Sequence, residues 1–263
     1  MLKALWTAAT GMEAQQLKLD VIANNLANIS TTGFKKSRAE FQDLLYQVIK
    51  APGTAANVEN RVPAGIQLGL GVRTAGVQKL FEEGNLVNTL RDLDVAIEGD
   101  GFFQVLLPDG QTAYTRAGNF AKDAEGRLVT ADGLPLQPEI TIPEDAETVA
   151  IATDGVVTIV RAGSTTAEEV GQIQLARFVN PSGLKAIGRN LFLPSDASGD
   201  PITGNPGEEG LGTLAQGFLE TSNVNLVEQM VEMITSQRAY ELSARVISSA
   251  DNMLQTATRT IGG

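Results

Sequence analysis

The sequence predicts an α+β fold: paired, coiled-coil-like N- and C-terminal helices with a central antiparallel β domain inserted between them. The helices are predicted because apolar residues recur at spacings of three and four over residues 2–26 and again over 226–254. The β domain is predicted because residues 71–178 contain short apolar runs separated by Asp-Gly and Glu-Gly pairs, which are typical of hairpin turns. We therefore expect the two terminal helices to pack against each other.

The first predicted helix, residues 2–26, carries one narrow apolar seam. Its positions are Leu2, Leu5, Ala9, Met12, Gln16, Leu19, Ala23 and Leu26. At about 1.5 Å per residue the helix is roughly 37 Å long. A seam this narrow, with small alanines in it, favours a partner helix over a broad globular core.

The last predicted helix, which begins near residue 226 with Thr221 or Ser222 as its cap, carries two apolar lines. The first line contains Leu226, Met230, Met233, Gln237, Tyr240, Ala244, Ile247, Asp251 and Leu254. The second line contains Val227, Val231, Ile234, Leu242, Val246 and Met253. Two lines predict two neighbours: the first helix covers one line, and the other line is left for another subunit. Burial of both lines in one globular core is the alternative.

Composition narrows the possible functions. A chain of 263 residues with 43% hydrophobic content is long enough for two domains and is not disordered throughout. Its net charge of −11 disfavours a nucleic-acid partner. It contains neither cysteine nor histidine, so it lacks thiol chemistry and the commonest general base and metal ligand. We expect no enzyme activity, no metal and no cofactor. We also expect no membrane insertion and no cleaved secretory signal.

The stretch after the first helix predicts a second short helix over residues 38–50, with Phe41, Leu44, Leu45, Val48 and Ile49 at helical spacing. Beyond it, residues 51–65 are rich in Pro, Gly, Ala and Thr and predict an extended linker. The chain is thus expected to divide into an N-terminal helical segment 1–44, an extended insertion 45–65, a connecting β segment 66–95, a central β domain 96–195, a return linker 196–217 and a C-terminal helix 218–263.

Within the β region, strands are predicted over 71–77, 96–107, 112–117, 127–130, 148–151, 156–160 and 172–178. Phe102, Phe103 and Phe120 are the bulky apolar residues that a small β core needs. Residues 123–126 predict a hairpin turn rather than a calcium loop, because the regular acidic ligands are missing. The Gly-Leu-Gly at 69–71 and the Gly-Asp-Gly at 99–101 predict backbone bends. Tyr114 and Arg116 fit either surface contacts or fold contacts.

One string closely resembles the signature of the bacterial flagellar axial proteins, which make the rod, the hook and the filament junction. It runs over residues 23–35 as Ala-Asn-Asn-Leu-Ala-Asn-Ile-Ser-Thr-Thr-Gly-Phe-Lys, with Gly33 as the natural site for a positive φ. Further strings typical of these proteins lie at 95–105, 114–120, 220–225 and 237–241. The resemblance therefore spans the whole chain.

The resemblance implies a structural subunit that self-assembles into a rigid hollow drive shaft. The segment 45–65 resembles an insertion that distinguishes subunits of the distal rod from those of the hook; its marked residues are Tyr46, Pro52, Gly53 and Pro63. We expect the subunit interface to contain Leu5, Met12, Leu19, Asn24, Asn25, Leu26, Asn28, Val227, Met230, Val231, Ile234, Tyr240, Ile247 and Leu254.

Partners also follow from the resemblance. They are further copies of the chain in a helical homopolymer, the proximal rod proteins, the hook protein, the P-ring and L-ring proteins as a bushing, the rod cap and the flagellar type III export apparatus. The expected place is the flagellar basal body, crossing the periplasm towards the outer membrane. The tube is expected to transmit motor torque and to form part of the export channel.

Three alternatives stay open from the sequence. The chain could be a proximal rod or hook subunit of the same family. It could be a coiled-coil regulator with an inserted β module, which would form a small closed oligomer instead of long polymers. It could also be an acidic enzyme such as a glycosidase, which needs two carboxylates about 5 to 10 Å apart. No spacing in the sequence singles out such a pair.

Two sets of polar residues have open roles. Gln16, Gln237 and Asp251 interrupt the apolar seams and either set the register between subunits or face the channel; we favour the channel. A group of acidic residues is a candidate for an outer surface that does not stick to a bushing, with ordinary solvated side chains as the alternative. These residues are Glu139, Glu144, Asp145, Glu147, Glu168 and Glu169.

Overall fold

The computed structural model describes residues 2–51, 64–163 and 166–261, and it divides the chain into two compact units. The first, called here the terminal unit, contains both chain ends: residues 2–26, 37–51, 64–78 and 225–261. The second, called the β unit, contains residues 27–36, 79–163 and 166–224. No helix in the part of the chain that the structure describes is long and apolar enough to cross a membrane.

The terminal unit consists of two helices and a two-stranded arm. Its elements are α1 (Leu2–Ala27), β1 (Ser37–Asp43), β2 (Tyr46–Lys50), β3 (Ile66–Gly69), β4 (Val72–Lys79) and α2 (Leu226–Ile261). The helices lie where the apolar periodicity predicts them. Strand β1 pairs with β4, and β2 pairs antiparallel with β3. The N–H of Leu44 donates to the carbonyl oxygen of Gly71 at 2.9 Å, so the two ladders follow one another along the arm.

The predicted helix over residues 38–50 is wrong, because this segment forms β1 and β2. Its apolar residues do fit a helical period, but they also fit strands, since short apolar runs are ambiguous. Its partner, residues 66–79, contains Gly69, Gly71 and Gly76, which disfavour a helix there. Pairing between segments that are distant in sequence therefore outweighs the local periodicity.

Helices α1 and α2 contact each other at two separated points. The Asn25 side chain donates from Nδ2 to Oε1 of Gln229 at 3.1 Å, and a Cβ at Gly11 would lie 3.7 Å from Oγ of Ser243. Residue 25 is thus near 229 and residue 11 near 243, so the two helices run antiparallel over this stretch.

The most buried positions of the two helices are not those of the predicted seams. Ala14, Ile22 and Asn25 are buried on α1. On α2 the buried residues are Gln229, Ser236 and Ala250, at intervals of seven and fourteen residues. Each seam lies one or two residues away from this face. On α2 the buried side chains are small or polar, and the larger apolar ones lie beside them.

The cap of α2 also differs from the prediction. Oδ1 of Asn225 accepts from the N–H groups of Val227 at 3.0 Å and Glu228 at 3.3 Å, which is the pattern of an N-cap. Ser222 instead accepts from Val224 N–H, and Thr221 donates its hydroxyl to the carbonyl oxygen of Asn85. Thr221 and Ser222 lie too far upstream of the first helical turn to cap it.

The β unit is built from short strands and one 3₁₀ turn (Pro181–Gly183). Its strands are β5 (Leu86–Asn88), β6 (Val95–Glu98), β7 (Phe102–Leu106), β8 (Thr112–Thr115), β9 (Ala121–Lys122), β10 (Leu128–Val129), β11 (Leu136–Gln137), β12 (Ala146–Ile151), β13 (Val156–Arg161), β14 (Ala167–Gln172), β15 (Leu175–Arg177), β16 (Lys185–Gly188), β17 (Leu191–Leu193), β18 (Ile202–Gly204), β19 (Thr213–Gln216) and β20 (Phe218–Glu220).

The largest sheet of this unit is antiparallel, and its strands do not follow the order of the chain. Its strand order is β16-β17-β8-β7-β15-β18, and β11 also pairs with β7. A separate three-stranded sheet has the order β12-β13-β14, and β19 pairs with β6, β20 with β5 and β10 with β9. Each predicted strand run from 71 to 178 overlaps at least one observed strand. The patterns do not predict β16 to β20, because strands of three or four residues are too short to show alternation.

The predicted core phenylalanines are all buried, but they belong to two clusters. Phe103 packs edge-on against Phe120, with ring centroids 5.0 Å apart, in the larger cluster. Phe102 lies in a second cluster with Tyr114, Phe178 and other residues. Neighbouring residues of a strand point to opposite faces, so Phe102 and Phe103 supply two different cores.

The predicted turns and bends are confirmed. The glycines of the four Asp-Gly and Glu-Gly pairs, at positions 110, 126, 133 and 155, have φ between 79° and 86°. Residues 123–126 form the hairpin between β9 and β10. The Gly-Asp-Gly at 99–101 divides the predicted strand 96–107 into β6 and β7.

Candidate assembly surface and buried charge cluster

Helix α2 presents a long apolar surface to solvent. Its exposed large apolar residues are Leu226, Val227, Met230, Val231, Ile234, Tyr240, Leu242, Val246 and Met253. Val227, the most exposed of them, has 69% of its surface accessible. An exposed apolar patch of this extent marks an interaction surface, because isolated soluble chains rarely leave one uncovered.

The predicted interface residues of α1 are less exposed than those of α2. Leu5, Met12, Leu19 and Leu26 are each half-buried beside the face that contacts α2. On α2, Ile247 and Leu254 are half-buried as well. The seam pattern does not include Trp6, which is 68% exposed and adds a large apolar side chain to the surface of α1. We call the exposed apolar residues of α2 together with Trp6 the assembly surface.

The three predicted asparagines have different surroundings. Asn25 is buried: its Nδ2 donates to the carbonyl oxygen of Ser37, and its Oδ1 accepts from Ser37 N–H, both at 2.8 Å. With its bond to Gln229, Asn25 therefore joins α1, β1 and α2 within the terminal unit. Asn28 is half-buried and shares a hydrogen bond with the Thr31 hydroxyl at 3.2 Å, while Asn24 is exposed.

Strands β2 and β3 of the arm are exposed at every residue and carry several large apolar side chains. Tyr46 lies opposite Gly69 in the β2–β3 ladder, and its ring covers the Gly69 α-carbon. Large exposed apolar residues of this arm are Leu45, Tyr46, Val48, Ile49, Ile66 and Leu68. The other predicted residues of the insertion, Pro52, Gly53 and Pro63, lie outside the described residues.

The β unit contains a buried cluster of three charged side chains. Nζ of Lys35 lies 2.5 Å from Oε1 of Glu220, and Nε of Arg116 lies 3.2 Å from Oε2 of the same carboxylate. The side chains of Lys35 and Glu220 have no accessible surface, and that of Arg116 is 3% accessible. Lys35 also donates to the carbonyl oxygen of Glu82 at 2.6 Å, and Gly84 N–H donates to Glu220 at 2.8 Å.

Burial and charge act in opposite directions on Lys35. Burial lowers the pKa of its ammonium group, and the Arg116 guanidinium lowers it further. The Glu220 carboxylate opposes both effects by attraction and by a hydrogen bond. Two cations share one carboxylate, and backbone carbonyls supply the remaining acceptors: the carbonyl oxygens of Gly99 and Gly101 accept from Arg116 at 2.9 and 3.0 Å.

Three of the sequence strings meet at this cluster. Lys35 ends the string 23–35, Arg116 lies in the string 114–120, and Glu220 begins the string 220–225. Gly33, at φ 67°, approaches so closely that a Cβ there would lie 2.7 Å from the backbone nitrogen of Ala117. Oδ1 of Asn223, in the third string, accepts from Lys36 N–H at 2.7 Å. Residues from the three strings therefore pack together at one place in the β unit.

The sequence patterns do not predict this cluster. They allow Arg116 to be either a surface contact or a fold contact, and the structure shows that it is a fold contact. Lys35 and Glu220 lie within two of the strings, but no pattern pairs two residues that are 185 positions apart. One sequence feature does mark the three residues of the cluster. Each is a charged residue in a string whose other residues are small, apolar or turn-forming.

The six acidic residues proposed for an outer surface are all exposed. Half of them lie in ion pairs: Glu139 with Arg127 at 3.2 Å, and Asp145 and Glu168 with Arg161 at 3.7 and 3.0 Å. Paired carboxylates contribute less to a negative surface than isolated ones. The geometry therefore favours ordinary solvated residues for at least Glu139, Asp145 and Glu168.

Three family models match successive parts of the chain. The model described as "Flagella basal body rod protein" matches residues 5–35. The model described as "Flagellar hook protein FlgE/F/G D1 domain" matches residues 96–159, and that described as "Flagellar basal body rod FlgEFG protein C-terminal" matches residues 215–260. The first and third cover most of α1 and α2.

Full-length relatives are similar throughout. A flagellar basal-body rod protein FlgG of Buchnera aphidicola is 50% identical, over 97% of this chain and 98% of its own length. That of Borreliella burgdorferi is 50% identical over 98% of both chains. A flagellar hook-basal body complex protein of Bacillus subtilis, FlhP, is 30% identical over 97% of both chains.

Proposed function

The chain belongs to the family of flagellar basal-body rod and hook axial proteins, and we propose that it forms the distal part of the rod. It is a structural subunit of the flagellar rod and not an enzyme. Its place is accordingly the flagellar basal body. The finer assignment to the distal rod is supported by the segment 45–65, which resembles the distal-rod insertion and contains β2 of the arm.

The observation that carries the proposal is the assembly surface of the terminal unit. A single copy leaves the large apolar side chains of α2 in water, at a cost of roughly 1.5 to 3 kcal/mol for each one that a neighbour could bury. A second copy supplies apolar helix surface of the same kind. If the α2 surface of one copy packs against a different surface of the next, and the rotation between neighbours does not close a ring, the repeated contact produces a helical assembly.

The terminal helices are proposed to form the wall of this tube, with coiled-coil-like packing between α1 and α2. The antiparallel contacts of Asn25 with Gln229 and of Gly11 with Ser243 support that pairing. Interdigitated apolar contacts, repeated at each subunit, would make the wall stiff enough to transmit torque. Gln16, Gln237 and Asp251 are exposed in the single chain and are proposed to face a polar export channel.

Within the flagellum, the proposed partners are further copies of the chain, the proximal rod proteins below and the hook protein above. The P-ring and L-ring proteins are proposed as the bushing, and the rod cap and type III apparatus as the assembly and export machinery. The tube would then cross the periplasm towards the outer membrane. A proximal rod or hook subunit of the same family is the alternative, and the segment 45–65 favours the distal rod over it.

Electron microscopy of the concentrated protein tests the proposal, with a variant of the assembly surface. Wild-type chain is expected to form straight hollow tubes. Val231→Asp should raise the concentration needed for tubes at least about tenfold, because a charge would enter an apolar contact. Val231→Leu is the matched control and should still assemble. Both variants should melt like wild type in dilute solution, since Val231 is exposed in the single chain.

A small closed oligomer at every concentration would contradict the proposal and favour a regulator. Tubes that form equally well from Val231→Asp would show that the exposed face of α2 does not carry the contact. Microscopy of basal bodies from cells that make a tagged chain then separates distal from proximal placement, because the tag should lie near the hook.

A further inference from the structure

The β unit contains a pocket with an aromatic floor and two guanidinium groups in its walls. Its volume is about 370 Å³. Phe81, Phe102 and Phe178 supply the floor, with ring centroids of Phe81 and Phe102 5.3 Å apart and those of Phe102 and Phe178 5.8 Å apart. Val179, at the edge, is 81% exposed. The pocket adjoins the buried charge cluster, because Arg116 lines both.

The two arginines in the pocket walls, Arg116 and Arg177, differ in their ion pairing. Arg116 is paired with Glu220, and its Cζ lies 5.9 Å from the centre of the Phe102 ring. Arg177, in another wall, is half-buried and has no ion pair within the described part of the chain. Asp100 also lines the pocket, but no ion pair joins it to Arg177 among the residues described. The pocket therefore suits an apolar side chain that has a carboxylate close by.

The arm of the terminal unit carries such a combination at its corner. Leu45 lies in the two-residue break between β1 and β2 and is 84% exposed. Asp43, two residues earlier, is exposed and forms no ion pair in the part of the chain that the structure describes. Their α-carbons are at most about 7 Å apart, so both side chains can reach one pocket of this size.

We propose that the Asp43–Leu45 corner of one copy docks into this pocket of a second copy. Leu45 lies on the phenylalanine rings, and Asp43 pairs with Arg177. The inference rests on the proposed function, since it names one contact within the polymer. Corner and pocket are different surfaces, so the contact is heterologous and can continue from copy to copy. In a chain with a net charge of −11, the Arg177 guanidinium, which has no ion pair among the described residues, is an electrostatic complement to the exposed Asp43 carboxylate.

Disulfide trapping between two variants tests the contact directly. The chain has no cysteine, so each introduced thiol is the sole one. Chains with Leu45→Cys are mixed with chains with Val179→Cys, polymerised and mildly oxidised. The mixed disulfide dimer should form in the polymers, because a docked residue 45 approaches the pocket edge within disulfide range. Mixing guarantees that the bond joins two copies.

A matched control replaces the pocket thiol by Leu90→Cys. Leu90 is 88% exposed and lies in the same unit, away from the pocket lining. Leu45→Cys with Leu90→Cys should give no more mixed dimer than dilute, unassembled protein gives. An equal yield from both pairs would show random collision and overturn the proposal.

Charge exchange provides a second readout. Arg177→Asp or Asp43→Arg alone should raise the concentration needed for polymerisation about tenfold, as expected for loss of one charge-assisted pair. The double variant should recover most of the loss, which a merely structural role of either residue would not produce. Polymers of wild-type yield from both single variants, without the mixed dimer, would overturn the inference and leave the proposed function intact. A wild-type chain that never polymerises would overturn both.

Discussion

Lys35 and Glu220, 185 positions apart in the chain, lie side by side in the interior of the β unit, with Nζ and Oε1 2.5 Å apart and neither side chain accessible to solvent. Lys35 follows the turn after α1, and Glu220 ends the last strand before α2. The pair, with Arg116, thus ties both segments to the sheet of the β unit. A buried pair of this kind is costly to break, because one charge is left without its partner.

Replacing Glu220 is expected to destabilise the β unit strongly. Glu220→Gln leaves the Lys35 and Arg116 cations buried without a carboxylate and should lower the free energy of unfolding by about 3–5 kcal/mol. Urea unfolding measures this loss. Glu82→Gln is the control: its ion pair with Lys36 is 3.6 Å long and the Glu82 side chain is 70% exposed, so less than about 1 kcal/mol should be lost. Equal losses in both variants would contradict the expectation.

Gly33 is expected to tolerate no side chain. Gly33→Ala places a Cβ 2.7 Å from the backbone of Arg116 and Ala117, at a φ of 67° that L residues rarely adopt. We expect the free energy of unfolding to fall by at least about 2 kcal/mol, because the left-handed backbone and the clash both destabilise the variant. Gly110→Ala shares the positive φ, at 82°, but has open space around its Cβ, and it should lose about 1 kcal/mol. Thermal melts of the two variants separate the two effects.

The hairpin at Asp123 should make the free energy of unfolding depend on pH in the acid range. Desolvation is the largest single effect and raises the pKa of the Asp123 carboxyl. The N–H groups of Arg127 and Glu125 and the Arg127 guanidinium together lower it more, so the folded pKa is below the usual 3.8. The resulting stabilisation is full above the unfolded pKa and is lost as the pH falls through the folded one.

Comparison of wild type with Asp123→Asn checks this sign. Wild type should be the more stable protein at neutral pH, and the difference in urea midpoint should shrink as the solution becomes more acidic than pH 3.8. A difference that is constant down to pH 2 would mean that the charge of Asp123 is not its cause.

Charges in the predicted helix seams are expected to block polymerisation. Leu19→Asp and Ile247→Asp would each bury an unpaired carboxylate between subunits, and neither variant should restore motility to cells that lack the wild-type chain. Both residues are half-buried in the single chain. Ile22→Asp is the comparison, because Ile22 is buried within the terminal unit itself and its variant should fail at folding.

Circular dichroism of the dilute variants separates the two causes. Leu19→Asp and Ile247→Asp should keep their helical signal and form no tubes, whereas Ile22→Asp should lose part of the signal. Motile cells carrying Leu19→Asp would show that the seam is not an interface.

Much of the fold could be predicted from local patterns. Helices α1 and α2 follow from apolar spacing, the hairpin glycines from Asp-Gly and Glu-Gly pairs, and the bend at 99–101 from its two glycines. These features depend on interactions between residues a few positions apart, which a linear pattern records. The segment 38–50 shows the limit, because its apolar spacing fits a helix until the paired strand, residues 66–79, is considered.

The sequence by itself determined the two terminal helices, the β region between them and the strings that identify the family. Only the tertiary structure decided that Lys35, Arg116 and Glu220 share one buried site, that Phe102 and Phe103 supply separate cores, and which face of α2 stays apolar and exposed. The physical reason is distance along the chain: propensity and periodicity act between near neighbours, whereas ion pairs, cores and uncovered faces depend on which distant segments meet.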